Sequence, residues 1–359
     1  MRIFPEKIKR ALKSTLFGLM LAASVTVQSL GAQALGTDST AAKAETVESP
    51  VAMDVVYGYQ NTAKSGRFLP LKIELSSQSG QAFNGTLCIL AMESDFQGYN
   101  MNLDYDVYRY EYPVEIEPGG NVNKSVSISL GARVDQMYVR LLDENGNEVV
   151  SKRLKLNLNL ETAELFIGVL SDNPAELLYF NGVGVNYSTL RTKTIEMTAS
   201  TLPASELGLD QLDVLLITDF DSGKLSGQQI EAVWEWVRKG GVLLIGTGER
   251  GEDTLRGFGK ELLEQPLPQP DERIINMGVE YAVDRPEGAS IPLVCTDVML
   301  KGGTEVLGSD ELSVLSSVSA GSGLVAVAMY DFVDIEEFCQ ANISVSYTHL
   351  RAHETKANL

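Results

Sequence analysis

The stretch that decides the fold runs from Leu209 to Gly248, LDQLDVLLITDFDSGKLSGQQIEAVWEWVRKGGVLLIGTG. It contains two continuous apolar runs, Val214–Ile217 and Val242–Ile245, which are typical of parallel strands covered on both faces. Between these runs, apolar residues recur at the spacing of one helix face, at Ile230, Val233, Trp234 and Val237. The stretch therefore predicts a strand, a helix and a second strand of one parallel sheet.

The predicted helix has matching start and stop signals. Ser226 and Gln229 have the spacing of a capping box, in which each side chain accepts a backbone N–H of the first turn. Arg238 and Lys239 fall in the last turn, where cations interact favourably with the helix dipole, and Gly240 can adopt the left-handed conformation that ends a helix.

Acidic residues follow the predicted strands at the edge where parallel sheets bind ligands. A third strand is predicted at Leu165–Leu170, so that its carboxyl end lies at the same edge. The candidate residues for a ligand or cation there are Asp172, Asp219, Asp221 and Glu249. Their oxygen atoms suit Ca²⁺ or Mg²⁺, and paired acids can also hydrolyse glycosides. Carboxylates at such an edge also serve simply as helix caps and solvated loops, so no cofactor is assigned.

Three motifs carry a resemblance to a known family: D-V-L-L-I-T-D at 213–219, L-S-x-x-Q at 225–229 and W-V-R-K-G-G-V-L-L-I-G at 236–246. They resemble the class I glutamine amidotransferase-like, flavodoxin-like domains of exported bacterial envelope proteins, over roughly residues 164–338. The resemblance implies a three-layer α/β domain with a parallel sheet. In the amidotransferases a cysteine nucleophile follows the second strand, but Gly246, Thr247 and Gly248 stand there in this chain. The resemblance therefore implies a fold without the family's catalysis.

The first 34 residues have the features of a secretory signal peptide. Five basic residues precede residue 14, the segment Leu16–Leu30 is predominantly apolar, and Ala32-Gln33-Ala34 is a cleavage site of small residues. The alternative is an uncleaved anchor helix, although the apolar run is short for a membrane span. Residues 35–50 are small and polar without periodicity, which predicts a disordered tether.

The carboxyl end has a different character. Val345–Thr355, VSYTHLRAHET, looks like a translated sequencing adapter, so we interpret residues 345–359 as an artefact and expect the natural chain to continue beyond Ser344. By the family resemblance, that missing part carries one or more membrane spans. Both histidines of the chain, His349 and His353, lie in this segment. Without them, Ser-His-Asp and Cys-His catalysis and histidine-bearing zinc sites are excluded.

The remaining 310 residues are strongly acidic. Removing the seven basic and two acidic residues of the two terminal segments leaves 22 basic and 46 acidic residues, a net charge of −24. This charge disfavours nucleic acid and anionic membrane surfaces as partners. Envelope proteins or glycans stay possible partners, and the oligomeric state is not predicted. The cysteines Cys88, Cys295 and Cys339 are too few and scattered for a disulfide framework or a zinc site.

Residues 51–161 predict a β domain. Apolar residues alternate with polar ones in several short runs, of which Leu69, Leu71, Ile73 and Leu75 is one. About seven strands without a convincing helix favour an immunoglobulin-like β-sandwich, and residues 162–344 then form the α/β domain. Exposed tyrosines beside acids can bind sugars, so Tyr105, Tyr108 and Tyr110 are a candidate aromatic binding surface. The alternative is that these tyrosines line an edge strand and pack at the junction of the two predicted domains.

Gly246–Gly251, G-T-G-E-R-G, formally fits the G-x-G-x-x-G pattern of dinucleotide loops, but Glu249, Glu252 and Asp253 place three acids beside the phosphate position. We therefore expect no nucleotide cofactor. The sequence favours a non-catalytic, exported, membrane-anchored envelope protein that binds or holds other components. The alternative is a carboxylate-based carbohydrate hydrolase that uses Asp219, Asp221 or Glu249.

Overall fold

The computed structural model describes residues 49–95, 104–131, 134–156, 158–159, 164–183, 191–276, 290–309, 312–337 and 339. The predicted signal segment, residues 35–48 of the predicted tether and the adapter-like segment lie outside these residues. Two compact units are present: one contains residues up to Gly66 and from Pro70 to Leu158, the other Arg67–Leu69 and the residues from Asn159 onward. Strands predominate over helices in the described residues, and the larger sheet mixes parallel and antiparallel pairs.

Up to Asn159, the described chain contains nine strands: β1 (Val51–Tyr57), β2 (Ala63–Lys64), β3 (Phe68–Ser77), β4 (Phe83–Asp95), β5 (Asp104–Ile116), β6 (Asn121–Ser129), β7 (Val134–Asp143), β8 (Glu148–Lys155) and β9 (Leu158–Asn159). They form a three-stranded sheet in the order β1-β3-β6 and a four-stranded sheet in the order β5-β4-β7-β8, while β2 pairs with β9.

The alternation in the sequence places one face of each strand in a core. Leu69, Leu71, Ile73 and Leu75 of β3 are buried, as their period of two predicts. A turn at Glu144–Asn147 joins β7 to β8, and Gly146 adopts a φ of 82° that favours glycine. Asp143 Oδ1 accepts the backbone N–H groups of Asn145 and Asn147, each at 2.8 Å, which fixes the hairpin.

The described strands of the second unit are β10 (Glu164–Leu170), β11 (Arg191–Met197), β12 (Val214–Ile217), β13 (Val242–Gly246), β14 (Asp271–Asn276), β15 (Ser290–Cys295), β16 (Thr304–Ser309), β17 (Leu312–Ala320) and β18 (Gly323–Ala328). Seven of them form one sheet in the order β11-β10-β12-β13-β18-β17-β16. The pairs of β10 with β11 and β12, of β12 with β13, and of β13 with β18 are parallel, which confirms the predicted parallel strands. β17 pairs antiparallel with both β16 and β18.

The helices are short apart from one. They are α1 (Glu206–Leu209), α2 (Gly227–Arg238), α3 (Gly251–Leu255) and α4 (Gly259–Leu262), with 3₁₀ turns at Pro174–Phe180, Ser222–Lys224, Gly248–Arg250 and Val333–Ile335. Helix α2 is the helix predicted between the two apolar strands, and Val233, Trp234 and Val237 are buried as its periodicity requires. Within the described residues, no helix has the length and apolarity of a membrane span.

The capping box of α2 also connects the helix to a neighbouring loop. The Ser226 hydroxyl accepts the backbone N–H of Gln229, and the Gln229 side chain accepts the backbone N–H of Ser226 at 2.9 Å. Gln229 Nε2 also donates to the carbonyl oxygens of Ala199 and Leu202, at 2.6 and 2.8 Å. One glutamine thus fixes both the helix start and the loop after β11.

We expect Ser226→Ala to lower the free energy of unfolding by about 1 kcal/mol, because the cap acceptor is lost. The control is Gln228→Ala, since Gln228 is exposed in the same turn and lies outside the capping box; it should change stability by less than about 0.5 kcal/mol. Urea denaturation followed by circular dichroism measures both values. Equal losses in the two variants would contradict the role of the cap.

Candidate functional site at the carboxyl edge of the parallel strands

Asp219 lies directly beyond β12 and is the most constrained residue of the predicted site. Its Oδ1 accepts a hydrogen bond from Arg250 Nη1 at 2.5 Å, and its Oδ2 accepts one from Asn173 Nδ2 at 2.6 Å. The residue is only 8% exposed. Both carboxylate oxygens of Asp219 therefore have a donor within the protein.

The backbone of Asp219 is held as tightly as its side chain. Its φ of 45° lies in the left-handed region, where a residue other than glycine is strained. Its carbonyl oxygen accepts the backbone N–H of Asp172 at 3.0 Å and Arg250 Nη1 at 3.2 Å. These bonds connect the loops that follow β10, β12 and β13, and they stabilise the strained conformation.

Asp172, beyond β10, contacts two cations. Lys224 Nζ donates to its two carboxylate oxygens at 3.0 and 3.2 Å, and Arg250 donates to Oδ2 at 3.2 Å. Partial burial alone would raise the pKa of Asp172, but the hydrogen bonds and charges of Lys224 and Arg250 outweigh it and lower the pKa. Asp172 is therefore held in its charged form.

The other two predicted residues lie apart from this cluster. Asp221 accepts from Arg256 Nη1 and from the backbone N–H of Gly223, both at 2.9 Å, and so caps a 3₁₀ turn. Glu249 is exposed. Within the described residues, no group of three or more His, Cys, Asp and Glu side chains is placed to hold a metal ion. Cationic side chains contact three of the four predicted carboxylates, and binding of Ca²⁺ or Mg²⁺ stays a prediction.

Asp331 belongs to the same edge but is absent from the predicted set. It follows β18, is 5% exposed, and its Oδ1 accepts the Thr218 hydroxyl at 2.6 Å and the backbone N–H of Val333 at 3.0 Å. Burial raises the pKa of Asp331 to about 6, with a further increase from the charges of Asp219 and Asp334 and an opposing effect of the two hydrogen bonds. The sequence carries one signal for this residue, because Asp331 directly follows the apolar run Leu324–Tyr330.

The Gly246–Gly251 loop uses its first backbone amides within the fold. Thr247 N donates to the Tyr330 carbonyl at 3.0 Å, and Gly248 N donates to the Met329 carbonyl at 3.4 Å. A β-carbon on Gly246 would lie 2.2 Å from the Thr218 hydroxyl oxygen, so the glycine is needed for packing. These two amides donate to carbonyls directly beyond β18, and the absence of a nucleotide cofactor stays a prediction.

The predicted tyrosine surface lies on β5, an edge strand of the four-stranded sheet. Tyr108 and Tyr110 stand opposite the buried residues Ala91 and Ile89 of β4 and share their face of the sheet. Tyr108 is 46% exposed, whereas the Tyr110 hydroxyl donates to the Ser129 carbonyl at 3.1 Å. The side chain of Tyr105 lies outside the described residues.

All three thiols are buried and unpaired: Cys88, Cys295 and Cys339. Burial raises the pKa of Cys295 to about 11 and that of Cys339 to about 12, so both remain protonated at neutral pH. Burial likewise raises the pKa of Cys88. Protonated, buried thiols are poor nucleophiles, and none of the three belongs to the sheet-edge site.

Residues 50–157 match a family described as a domain of unknown function, DUF8726. No curated protein matches the chain. Among solved structures, the cytoplasmic protein STM1381 from Salmonella typhimurium LT2 is 14% identical with a TM-score of 0.34, covering 51% of this chain and 99% of that chain. The exo-beta-1,4-mannosidase Op5Man5 from Opitutaceae bacterium strain TAV5 is 12% identical with a TM-score of 0.34, covering 62% of this chain and 41% of that chain. Likenesses at this level carry no argument about function.

We expect Arg250→Ala to lower the free energy of unfolding by about 2 kcal/mol, because it removes the guanidinium that donates to the mostly buried Asp219 carboxylate at 2.5 Å. Arg256→Ala is the control, since the Arg256 side chain is 52% exposed and its ion pairs are worth less than about 1 kcal/mol. Urea denaturation at pH 7 compares them. A loss for Arg250→Ala no larger than that for Arg256→Ala would contradict the central role of Arg250.

We expect Asp331→Asn to change how stability depends on pH. The folded protein binds the Asp331 proton more tightly than the unfolded chain, whose carboxyl has its ordinary pKa of 3.8. This contribution to stability is complete below pH 3.8 and is lost as pH rises through about 6, with a total of about 3 kcal/mol. Relative to wild type, the variant should therefore gain stability from pH 4 to pH 7 in urea denaturation. A difference in stability between variant and wild type that stays constant from pH 4 to pH 7 would contradict this prediction.

Proposed function

We propose that this chain is a non-catalytic, exported protein of the bacterial cell envelope that binds or holds other envelope components. The single observation that carries the non-catalytic part is the pairing of Asp219. A nucleophilic or general-base carboxylate needs a free oxygen directed at the substrate, but both oxygens of Asp219 accept short hydrogen bonds from Arg250 and Asn173. Asp172 and Asp221 are likewise paired with cations.

The export part of the proposal is supported by the signal-like residues 1–34 and by the acidic composition of the rest of the chain. For the finer architecture, we propose an immunoglobulin-like sandwich over 51–161 and a flavodoxin- or amidotransferase-like domain over 162–344. The parallel order β10-β12-β13-β18 and the helix α2 between β12 and β13 support the second assignment. Thr247 lies in the turn where that family has its nucleophilic cysteine, and its hydroxyl donates to the Ala328 carbonyl at 2.8 Å.

One observation favours the alternative, a carboxylate-based hydrolase. Asp331 and Asp219 lie close enough at the sheet edge for the charge of Asp219 to raise the pKa of Asp331. A carboxyl with a raised pKa close to a second carboxyl is an arrangement that glycosidases use for their acid and their nucleophile. Against this, Asp331 is buried and accepts the Thr218 hydroxyl at 2.6 Å.

A combined experiment tests the two parts of the proposal. Residues 1–34 fused to an alkaline phosphatase reporter, which is active only outside the cytoplasm, should give phosphatase activity in a bacterial host. The purified chain from residue 35 should release no reducing sugar from a panel of polysaccharides between pH 4 and pH 8.

An inactive fusion would overturn export. Hydrolysis that disappears in Asp219→Asn and Asp331→Asn, while Asp297→Asn retains it, would overturn the non-catalytic assignment in favour of the hydrolase. Asp297 is a suitable control because it pairs with Arg273 on the exposed surface.

A further inference from the structure

Three neighbouring cations and one tyrosine lie together on the outer face of the four-stranded sheet, where β7 pairs with β8. Tyr138 of β7 stands directly opposite Arg153 of β8, and Gln136 of β7 stands opposite Lys155. Residues opposite each other, and residues two apart along a strand, point to the same side of a sheet. Tyr138, Arg140, Arg153 and Lys155 therefore lie on one side, which we name the arginine–tyrosine face. The intervening residues Met137, Val139 and Leu141 are fully buried on the other side.

Both arginines are held against the tyrosine ring. Cζ of Arg140 lies 5.3 Å and Cζ of Arg153 lies 5.8 Å from the ring centroid of Tyr138, within the range of cation–π contacts. Arg153 Nη2 also donates to Gln136 Oε1 at 2.9 Å. A guanidinium held in this way loses little further freedom when it forms hydrogen bonds with an oxyanion.

The positive charge of this face is incompletely neutralised. Arg140 approaches one acid, Glu148, with its Nε 3.4 Å from Glu148 Oε2. Arg153 and Lys155 are exposed, and in the described part of the chain neither forms an ion pair with an acid. In a chain of net charge −19, neighbouring cations without acidic partners indicate a site that attracts an anion.

The composition of the arginine–tyrosine face indicates which kind of anion it would bind. Its apolar residues, Leu90, Met92, Tyr138 and Leu142, are half-buried, and the exposed large apolar side chains of the described chain all lie elsewhere. Protein interfaces are built around exposed apolar and aromatic anchors, which the described side chains of this face do not offer. The acidic surface of the rest of the chain opposes duplex nucleic acids, which carry one negative charge per about 1.7 Å of helix axis. A hydroxyl-rich polymer with one charge per sugar fits these limits better.

We infer that the arginine–tyrosine face binds an acidic polysaccharide through its sugar carboxylates, which Arg153 and Arg140 bind as guanidinium–carboxylate pairs and Lys155 attracts by its charge. Carboxylates fit the planar fork of arginine, and such charge-assisted hydrogen bonds are among the stronger polar contacts. This inference goes beyond the proposed function, which names no ligand and would stand if the face bound nothing.

The experiment measures binding of polygalacturonate to the purified chain from residue 35 by isothermal titration calorimetry at low salt. Arg153→Ala should weaken binding by about tenfold, Arg153→Lys should weaken it less, and Arg140→Ala should also weaken it. Arg109→Ala is the matched control, because Arg109 is exposed on the same side of the sheet but hydrogen-bonds Glu111 at 2.6 Å; it should bind like wild type. Binding should weaken as salt is added.

Three results would overturn the inference. They are wild-type affinity in Arg153→Ala, equal affinity for uncharged dextran, and tighter binding of poly-glutamate than of polygalacturonate, which would assign the face to an acidic peptide. Circular dichroism of each variant shows whether the fold is retained, and Arg153 is exposed enough that its replacement should leave the fold intact. None of these results bears on whether the sheet edge is catalytic, so failure here is distinct from failure of the proposed function.

Discussion

Burial of the central parallel strands on both faces is the constraint on which the second unit depends. Leu215, Leu216 and Ile217 of β12 and Leu243 and Ile245 of β13 are fully buried, so both sides of these strands must be covered. Leu216 and Leu244 belong to a core with Tyr330 and Phe332, whereas α2 brings in Val233, Trp234 and Val237. At roughly 25 cal/mol per Å² of apolar surface, this burial is the main favourable contribution to the fold.

The same constraint explains why the carboxyl edge is polar and tightly connected. Where the apolar strands end, the backbone leaves the sheet and its polar groups need partners. Arg250 meets much of this need, because its guanidinium bonds Asp172, the Asp219 carboxylate and the Asp219 carbonyl. Thr218 and Asp331 connect β12 to the end of β18 in the same way. The acids of this edge thus contribute to the architecture of the loops, which is the physical basis for proposing a binding protein instead of an enzyme.

The two units differ in how they distribute charge. At the sheet edge of the second unit, the cations Lys224, Arg250 and Arg256 each pair with an acid of the same edge. On the four-stranded sheet of the first unit, Arg153 and Lys155 are exposed without acidic partners among the described residues. A chain that is acidic elsewhere thereby carries one local region that attracts anions. For this reason we assign a ligand class to the first unit. We assign none to the carboxyl edge of the parallel strands in the second unit, although parallel sheets commonly bind ligands there.

The sequence by itself determined the elements whose signal is local. The apolar runs of β12 and β13, the capping box of α2 and the alternation in β3 all appear where the patterns predict them, because each follows from residues a few positions apart. It also placed Asp172 and Asp219 correctly at one sheet edge, since parallel strands end on the same side. Between Gly251 and Leu262 the chain forms two short helices, α3 and α4, and the turn between them contains Gly257, a poor helix former.

Only the tertiary structure decided what those residues contact. Arg250 lies 31 positions from Asp219 and 78 from Asp172, and Asp331 lies 113 positions from Thr218, so no local pattern reports these partners. The pairing of Tyr138 with Arg153 likewise depends on the register of β7 against β8. Periodicity fixes which face of an element a side chain occupies. Its partner across the fold depends on how strands distant in sequence are aligned, and that alignment is set by the whole core.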